Sequence, residues 1–398
     1  MHLLYLHQYF CPPGGMGNTR SLDFARRWVS RGHQVTIFTS SAYFPADQRR
    51  VAHYWDYELE PGLRVFVLNV AYSHMMPFRR RVMAFLAFYR GILLHAPQLP
   101  KPDLIYASST PPSVGEAGRK LARRWGIPYV FETVDVWPDV PEGMGILRNR
   151  LLLAWLHRRV NRIYREAAMV ITLSEGMRTQ VLSHYNRPGR VHVIHNGTDT
   201  KAFQFQGPRK KDIVTCIYTG TIGIANGVDQ LLLAAKHLEE AGHHDIRFRI
   251  VGGGNDLARV RALADNLQLQ HVTFEPGVPK EEVPALLASA DIGIVTFAPY
   301  PVLEANSANK WFDYLASGLP VVTNYQGWQA EYMHGWGCGR AAKQGDVADF
   351  AEQIRYVAQD QDHPMRMAMH LRARQLAEHH FDRTKLADRL MKLLEKCR

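Results

Sequence analysis

The chain has 398 residues, 46% apolar and 21% charged, a folded-protein composition too long for one hydrophobic core. Its four cysteines (Cys11, Cys216, Cys338, Cys397) lie far apart, with no CxxC and no His at ligand spacing, which argues against a disulfide framework or a zinc site. The net charge of +11 falls in one half: residues 1–200 carry 25 Lys+Arg against 14 Asp+Glu, and residues 201–398 carry 23 of each.

The opening "MHLLYLHQYF" has no basic leader and no cleavage site, and no apolar run approaches the roughly 18 residues of a spanning helix. The segment therefore reads as a first strand (2–7) of a cytosolic chain. A glycine loop "CPPGGMGNTR", a helix (18–30) and a strand "QVTIFTS" follow, a unit that implies a parallel sheet. "LRVFVLNV", "DLIYASS", "PYVFETVD" and "MVITLS" continue the pattern, with amphipathic stretches between most of them. After "VHVIHNGTDTKAFQFQGPRKKD" it restarts with "IVTCIYTG", "FRIVGGG", "HVTFEPG", "DIGIVTF" and "PVVTN". The expectation is an α/β protein of two doubly wound domains, 1–196 and 197–381, facing across a cleft. By pattern, the last helices (351–396) cap the second domain.

Glycines mark several strand ends. Gly14, Gly15 and Gly17, followed by Asn18, are not spaced as GxGxxG, and no acid ends the second strand, so no NAD site is expected there. A backbone that approaches some other ligand, or a tight turn, accounts for them. Gly220 and Gly223, with Asn226, and then Gly252 and Gly253, end strands of the second half, where ligands of open sheets sit. "NSANKWFDYLASGLPVVTN" (306–324) reads as loop, helix and buried strand, with Ser307 as cap, Gly318 as stop and Pro320 barring continuation. The N–H groups from Ser307 through Asn309 to Lys310 offer a phosphate site, to which the Lys310 ammonium adds charge. Asp313 is either an i,i+3 partner of Lys310 or an acceptor for ribose hydroxyls.

"FETVDVWPDV" (131–140) places Glu132, Asp135 and Asp139 just past a strand, as candidates for acid–base or substrate-hydroxyl work. A helix N-cap at Asp135 or Asp139 is the plain alternative. "MMPFRRRVMAFLAFYRGILL" (75–94) and "LRNRLLLAWLHRRVNRIYR" (147–165) interleave basic with aliphatic and aromatic residues, as helices on anionic bilayers do. Arg79, Arg80 and Arg81 beside Met75, Met76 and Phe78 combine charge with apolar insertion. No nucleic-acid reading motif accompanies the charge, so nucleic acid is not expected as a partner.

Taken together, "HQYFCPPGGMGNTR", "ASSTPP", "ETVDVWPD", "VITLSEGM", "VIHNGTD", "YTGTIGIANGVDQLLLAA", "GGG" and "SANKWFDYLASGLPVV" resemble the GT-B glycosyltransferases of family 4, the retaining nucleotide-sugar transferases. Within that family the resemblance is to bacterial polysaccharide enzymes that include N-acetyl-L-fucosamine transferases, and it covers essentially the whole chain. It implies two Rossmann-like domains, acceptor at the first and nucleotide-sugar at the second, with a final helix (382–398) packed back on the first. It puts Asp313 at the second of two acids separated by seven residues, the one that holds ribose. The first falls on Ala305, so the sugar-contacting acid is either displaced to the adjacent Glu304 or missing. Asn226 stands where the family has a diphosphate-gripping Lys, so the cation is Lys310 or another residue. Asp135 stands in for a His that many members carry after that strand.

The implied reaction moves a sugar, an N-acetylated or deoxy hexose, from a UDP-sugar to a polyprenyl-diphosphate-linked glycan with retention. Backbone N–H groups and a cation stabilise the departing diphosphate, whose oxygen takes the acceptor's proton. No cofactor and no catalytic metal are implied, and no DxD lies at a strand end. The chain would work in the cytoplasm, peripheral on the anionic inner face of the membrane. A nucleotide-sugar epimerase of the same fold and a non-catalytic membrane- or nucleic-acid-binding scaffold are the alternatives.

Overall fold

The structure, a computed structural model, describes residues 1–15, 17–73, 76–205, 207, 213–359 and 364–397. It divides into two units, residues 1–195 with 383–398, and residues 196–382. In unit 1, β1 (His2–His7), α1 (Arg20–Val29), β2 (Gln34–Ser40), β3 (Tyr54–Glu60), β4 (Leu63–Leu68), α2 (Phe78–His95) and β5 (Leu104–Ser108) come first. Then follow α3 (Ser113–Trp125), β6 (Tyr129–Thr133), α4 (Asp139–Gly143), α5 (Arg150–Glu166), β7 (Met169–Thr172), α6 (Glu175–His184) and β8 (Val191–Val193).

The strand order is β3-β4-β2-β1-β5-β6-β7-β8, parallel throughout except for the β3–β4 pair. That hairpin is absent from the sequence reading, which begins the segment at Leu63. Its turn is Pro61-Gly62, with Gly62 at φ +84, a left-handed conformation that glycine adopts without strain. The order reverses between β1 and β5, so the carboxyl ends of these two strands flank the unit's switch point, where doubly wound sheets bind ligands.

Unit 2 contains β9 (Val214–Thr221), α7 (Val228–Glu240), β10 (Ile246–Gly253), α8 (Leu257–Asn266), β11 (Val272–Glu275), α9 (Val283–Leu287) and β12 (Ile292–Val295). α10 (Asn309–Ala316), β13 (Val321–Thr323), α11 (Trp328–Trp336), β14 (Gly339–Ala341), α12 (Val347–Ala358) and α13 (Pro364–His380) complete it. The all-parallel order β11-β10-β9-β12-β13-β14 is that of a dinucleotide-binding fold, with the switch between β9 and β12. Both faces of such a sheet are covered, so strands such as β12 are apolar without alternation and wholly buried.

The last helix, α14 (Arg383–Leu394), belongs to unit 1, not to the second half where the periodicity put all the late helices. Its Leu386, Leu390 and Leu394 are buried in the same core as Trp28, Tyr5 and Val35. The Trp28 indole N–H donates to the Ala387 carbonyl at 3.1 Å, and the Arg27 guanidinium forks onto Asp388 at 2.7 and 2.6 Å. The apolar stripe recurs every four residues, so one face of α14 is committed to α1. Leu390→Ala should therefore cost about 2–5 kcal/mol, read as a lower urea midpoint. An unchanged midpoint would show that α14 is dispensable to unit 1.

Candidate functional site

The helix after β12 begins at Asn309, with Ala308 as N-cap and no side chain closing it, so Ser307 is not the cap. Ser307 is instead held from behind: Asn196 Nδ2 donates to its carbonyl at 3.1 Å, and the Trp328 indole donates to the Asn306 carbonyl at 3.0 Å. In the first turn of α10, which carries Lys310, the Trp311 N–H donates to the Ala308 carbonyl at 3.2 Å.

Lys310 Nζ is buried and has no hydrogen-bond partner among the described residues. It sits 3.5 Å above the Tyr218 ring, a cation–π contact, and 3.8 Å from where a Cβ on Gly220 would lie. Burial drives its pKa well below the ordinary lysine value. The glycines are set by this packing. Gly252 has φ +150, and a Cβ there would collide with the Gly220 carbonyl, because β9 and β10 remain paired through Gly220 and Gly252. Gly253 is exposed, and nothing lies within 4 Å of where its Cβ would be. Beyond them, Cβ on Gly223 would meet Asn226 Oδ1 at 3.3 Å and Asn255 Oδ1 at 3.4 Å. Two amide oxygens therefore flank the turn after β9.

Asp313 does not pair with Lys310. Its Oδ1 accepts from the Thr198 hydroxyl at 2.7 Å and its Oδ2 from Lys280 Nζ at 2.5 Å. The i,i+3 reading is thus corrected: the neighbour in sequence lies over Tyr218, and a loop lysine 33 residues away takes the carboxylate. Glu304 is half-buried on the 3-10 turn Pro301–Ala305; its charge, after burial itself, raises the pKa of the Tyr325 hydroxyl.

In unit 1 the strand ends carry a closed pair. Arg20, at the start of α1, donates to Glu132 at 2.6 Å and to the carbonyls of His195 (2.7 Å) and Ile194 (3.2 Å). Glu132 also accepts from Tyr106 and Ser108, each at 2.7 Å, and is 1% exposed. Burial would raise its carboxyl; the Arg20 charge, then the hydrogen bonds from Arg20, Ser108 and Tyr106, outweigh this and hold it below the usual range. Both oxygens of Glu132 are thus engaged inside unit 1, by Arg20 and Tyr106 on one and Ser108 on the other.

Asp135 lies half-buried just past β6, where Oδ2 accepts from the Thr110 hydroxyl at 2.9 Å. Burial raises its pKa, opposed by that hydrogen bond. Neither Asp135 nor Asp139 is an N-cap: α4 starts at Asp139 after Pro138, with no side-chain cap. His7, at the carboxyl end of β1, contacts Ser21 Oγ at 3.1 Å, and burial pushes its pKa down to about 4.

The loop after β1 packs tightly on its own residues. Cβ on Gly15 would meet Cys11 Sγ at 2.6 Å, and Cβ on Gly17 would meet Cys11 Sγ and Tyr43 Cδ1 at 3.1 Å each. Gly14 takes φ +77, and Asn18 Oδ1 accepts from the Arg20 N–H at 3.0 Å. Packing thus requires glycine at 15 and leaves little room at 17, backbone conformation favours it at 14, and Asn18 braces Arg20. On α2, Arg79 and Arg80 are exposed and Arg81 is half-buried; Met75 and the Phe78 side chain lie outside the described residues.

Arg20, His7, Lys280 and Thr198 were not singled out from sequence. Arg20 and Thr198 lie in quoted motifs, "GGMGNTR" and "HNGTD", but only the fold shows which acids they meet.

The chain matches two family descriptions that together span most of its length, "Glycosyl transferase 4-like domain" over residues 14–197 and "Glycosyl transferases group 1" over residues 199–375. It belongs to the GT-B glycosyltransferases of family 4. Among curated relatives, an MMP alpha-(1->4)-mannosyltransferase of Mycolicibacterium hassiacum is 26% identical over 189 residues, 47% of this chain and 44% of that one. The chain thus spans under half the length of that relative. A putative colanic acid biosynthesis glycosyl transferase, WcaI of Escherichia coli, is 24% identical over 67% of this chain and 70% of its own. Among solved structures, Anabaena HepE in complex with UDP-glucose has the same fold, with TM-score 0.69, 17% identity and full coverage of both chains.

The Arg20–Glu132 pair gives a stability test. Arg20→Met leaves a buried carboxylate unpaired, which should cost about 3–5 kcal/mol. Because the Glu132 pKa is depressed in the folded chain, its contribution is present above the ordinary glutamate value of 4.5 and is lost as pH falls through the lower folded value. Urea titrations of wild type and Arg20→Met should therefore converge as pH drops below 4.5. A gap that is unchanged at low pH would show that the pair does not act through charge.

Proposed function

We propose that the chain is a retaining glycosyltransferase that moves a sugar, an N-acetylated or deoxy hexose, from a UDP-sugar to a lipid-linked acceptor in cell-surface polysaccharide synthesis. The observation that carries this reading is the buried, unpartnered Lys310 side chain beside the α10 N-terminus and the glycine end of β9. Burial without a counter-charge pushes Lys310 toward its neutral amine, and an incoming diphosphate favours the protonated form. As the sugar–phosphate bond breaks, Lys310 and the first-turn N–H groups stabilise the charge that develops on the leaving group, so the protein's positive charge suffices for departure without a catalytic metal. Asp313, with Lys280, is placed to exchange its internal bonds for ribose hydroxyls, and Glu304 is the proposed sugar-facing acid. Asn226 and the glycines Gly220, Gly223, Gly252 and Gly253 complete the donor side.

Unit 1 is the proposed acceptor side. Asp135 shifted upward and His7 shifted downward are both moved toward their neutral forms, which suits hydrogen bonding to sugar hydroxyls. WcaI is described as a putative colanic acid biosynthesis glycosyl transferase, which supports a polysaccharide product, and HepE was solved with UDP-glucose, which supports a nucleotide-sugar donor.

Lys310→Met tests the donor site. Loss of a charged hydrogen-bond donor should weaken UDP binding by about 1.5–3 kcal/mol, while the unfolding temperature holds or rises because a buried, unpartnered polar group is removed. Calorimetry with UDP and a panel of UDP-sugars reads both donor choice and the variant. Unchanged UDP affinity removes Lys310 from the site, and no binding or turnover across the panel removes the transferase reading.

The acceptor reading places unit 1 on an anionic membrane. No helix among the described residues is long and apolar enough to cross a bilayer, and the attachment proposed is peripheral. α2 exposes Met83 (63%) near Arg79 and Arg80, and α5 exposes Leu151 (84%) and Trp155 (52%) near Arg158 and Arg159. Each surface cation near anionic lipid contributes about 1 kcal/mol, so Arg79/Arg80→Glu should reduce flotation with anionic vesicles at low salt. Equal recovery of both proteins in the soluble fraction would favour a soluble acceptor.

A further inference from the structure

We propose that Asp139, His157 and His184 form a binding site for a divalent cation of the zinc class on unit 1. Asp139 opens α4, His157 lies within α5, and His184 ends α6. One ligand atom from each lies within 4.8 Å of the others. His184 Nε2 is 2.8 Å from Asp139 Oδ2, His157 Nδ1 is 3.8 Å from Asp139 Oδ1, and the two rings are 4.8 Å apart between centroids. A tetrahedral ion bound at about 2.0–2.2 Å separates its ligand atoms by roughly 3.3–3.6 Å. The observed spread brackets that distance, so small side-chain rotations close the site.

The side-chain geometry points to a cation. His157 Nε2 is 2.9 Å from Glu142 Oε2, and Nδ1 of the same ring is 3.8 Å from Asp139 Oδ1. Asp139 Oδ1 is buried and has no hydrogen-bond partner among the described residues. In the tautomer that donates to Glu142, Nδ1 presents a lone pair to Asp139, an arrangement that a metal ion between them converts into two bonds. Glu142 is then the outer carboxylate that fixes the tautomer and raises the basicity of a metal-bound imidazole. Two imidazoles with one carboxylate suit Zn²⁺ and its first-row neighbours; Ca²⁺ and Mg²⁺ prefer all-oxygen sets.

The consequence is mechanical. Asp139 lies four residues beyond Asp135 in the same segment. A cation at Asp139 would tie that segment to α5 and α6 and restrain the backbone that presents Asp135. The inference does not depend on the identity of the donor sugar.

The test uses the full chain without an affinity tag, stripped with chelator and then equilibrated with Zn²⁺ or Co²⁺. One bound equivalent by elemental analysis is expected, with visible ligand-field bands for Co²⁺ and an unfolding temperature that rises with Zn²⁺ concentration. His157→Asn/His184→Asn should lose the equivalent and the bands, and Glu142→Gln should weaken binding by about 10–100-fold. If the double variant folds poorly by circular dichroism, His184→Gln, on a partly exposed side chain, carries the same expectation for the Co²⁺ spectrum. No stoichiometric uptake by wild type, or equal uptake by the histidine variants, overturns the proposal.

Discussion

The Lys310 side chain is buried against a tyrosine face with no hydrogen-bond partner among the described residues, its pKa pushed well down by burial, and the candidate site in unit 2 is arranged around that fact. Three features keep it unpaired. The Asp313 carboxylate, one turn along the same helix, is drawn to Thr198 and Lys280. Tyr218 is fixed under the amino group by donating its hydroxyl to the Thr221 carbonyl at 2.6 Å. Tyr314 holds the neighbouring stretch of β9, where its hydroxyl accepts from the Thr219 N–H at 2.8 Å. The amino group is thereby held in place beside glycine backbone, and the cost of its protonation is offset when an anion enters. Preorganisation of this kind acts on a leaving group without reorganising the protein during reaction.

Unit 1 solves the corresponding problem in the opposite way. Its switch point also carries a buried basic group, Arg20, but here the counter-charge is internal, because Glu132 is surrounded by Arg20, Tyr106 and Ser108. A closed pair rigidifies the strand ends and leaves no net charge for an anionic ligand. What remains near it, His7 and Asp135, is shifted toward neutrality. One unit thus offers positive charge and the other offers neutral hydrogen-bonding groups, which matches the proposed split between a diphosphate donor and a hydroxyl acceptor.

Glycine illustrates why motif and role differ. The run at 252–254 reads as a ligand loop, yet Gly252 is required because its neighbour strand's carbonyl occupies the space a Cβ would need. Gly15 is likewise required by Cys11 and Tyr43, which also leave little room at Gly17. Close backbone approach is the shared cause, and it serves packing first.

The sequence by itself determined the layout of strands and helices. β1 at 2–7, the restart after residue 212 and the doubly wound class follow from local period and turn chemistry, which act over a few residues. The motifs at 131–140 and 306–324 also located the two strand-end regions where the charged groups gather. The β3 strand escaped because an edge strand with Asp56, Glu58 and Glu60 carries little apolar signal. Pairings were decided only by tertiary structure. Arg20 meets Glu132 across 112 residues, Asp313 meets Lys280 across 33 and Thr198 across 115, and Trp28 meets α14 across 359. Side chains on separate elements carry no local trace of one another. Which acid is satisfied, and which basic side chain is left without a partner, is settled only when each unit packs its own helices and loops around its sheet.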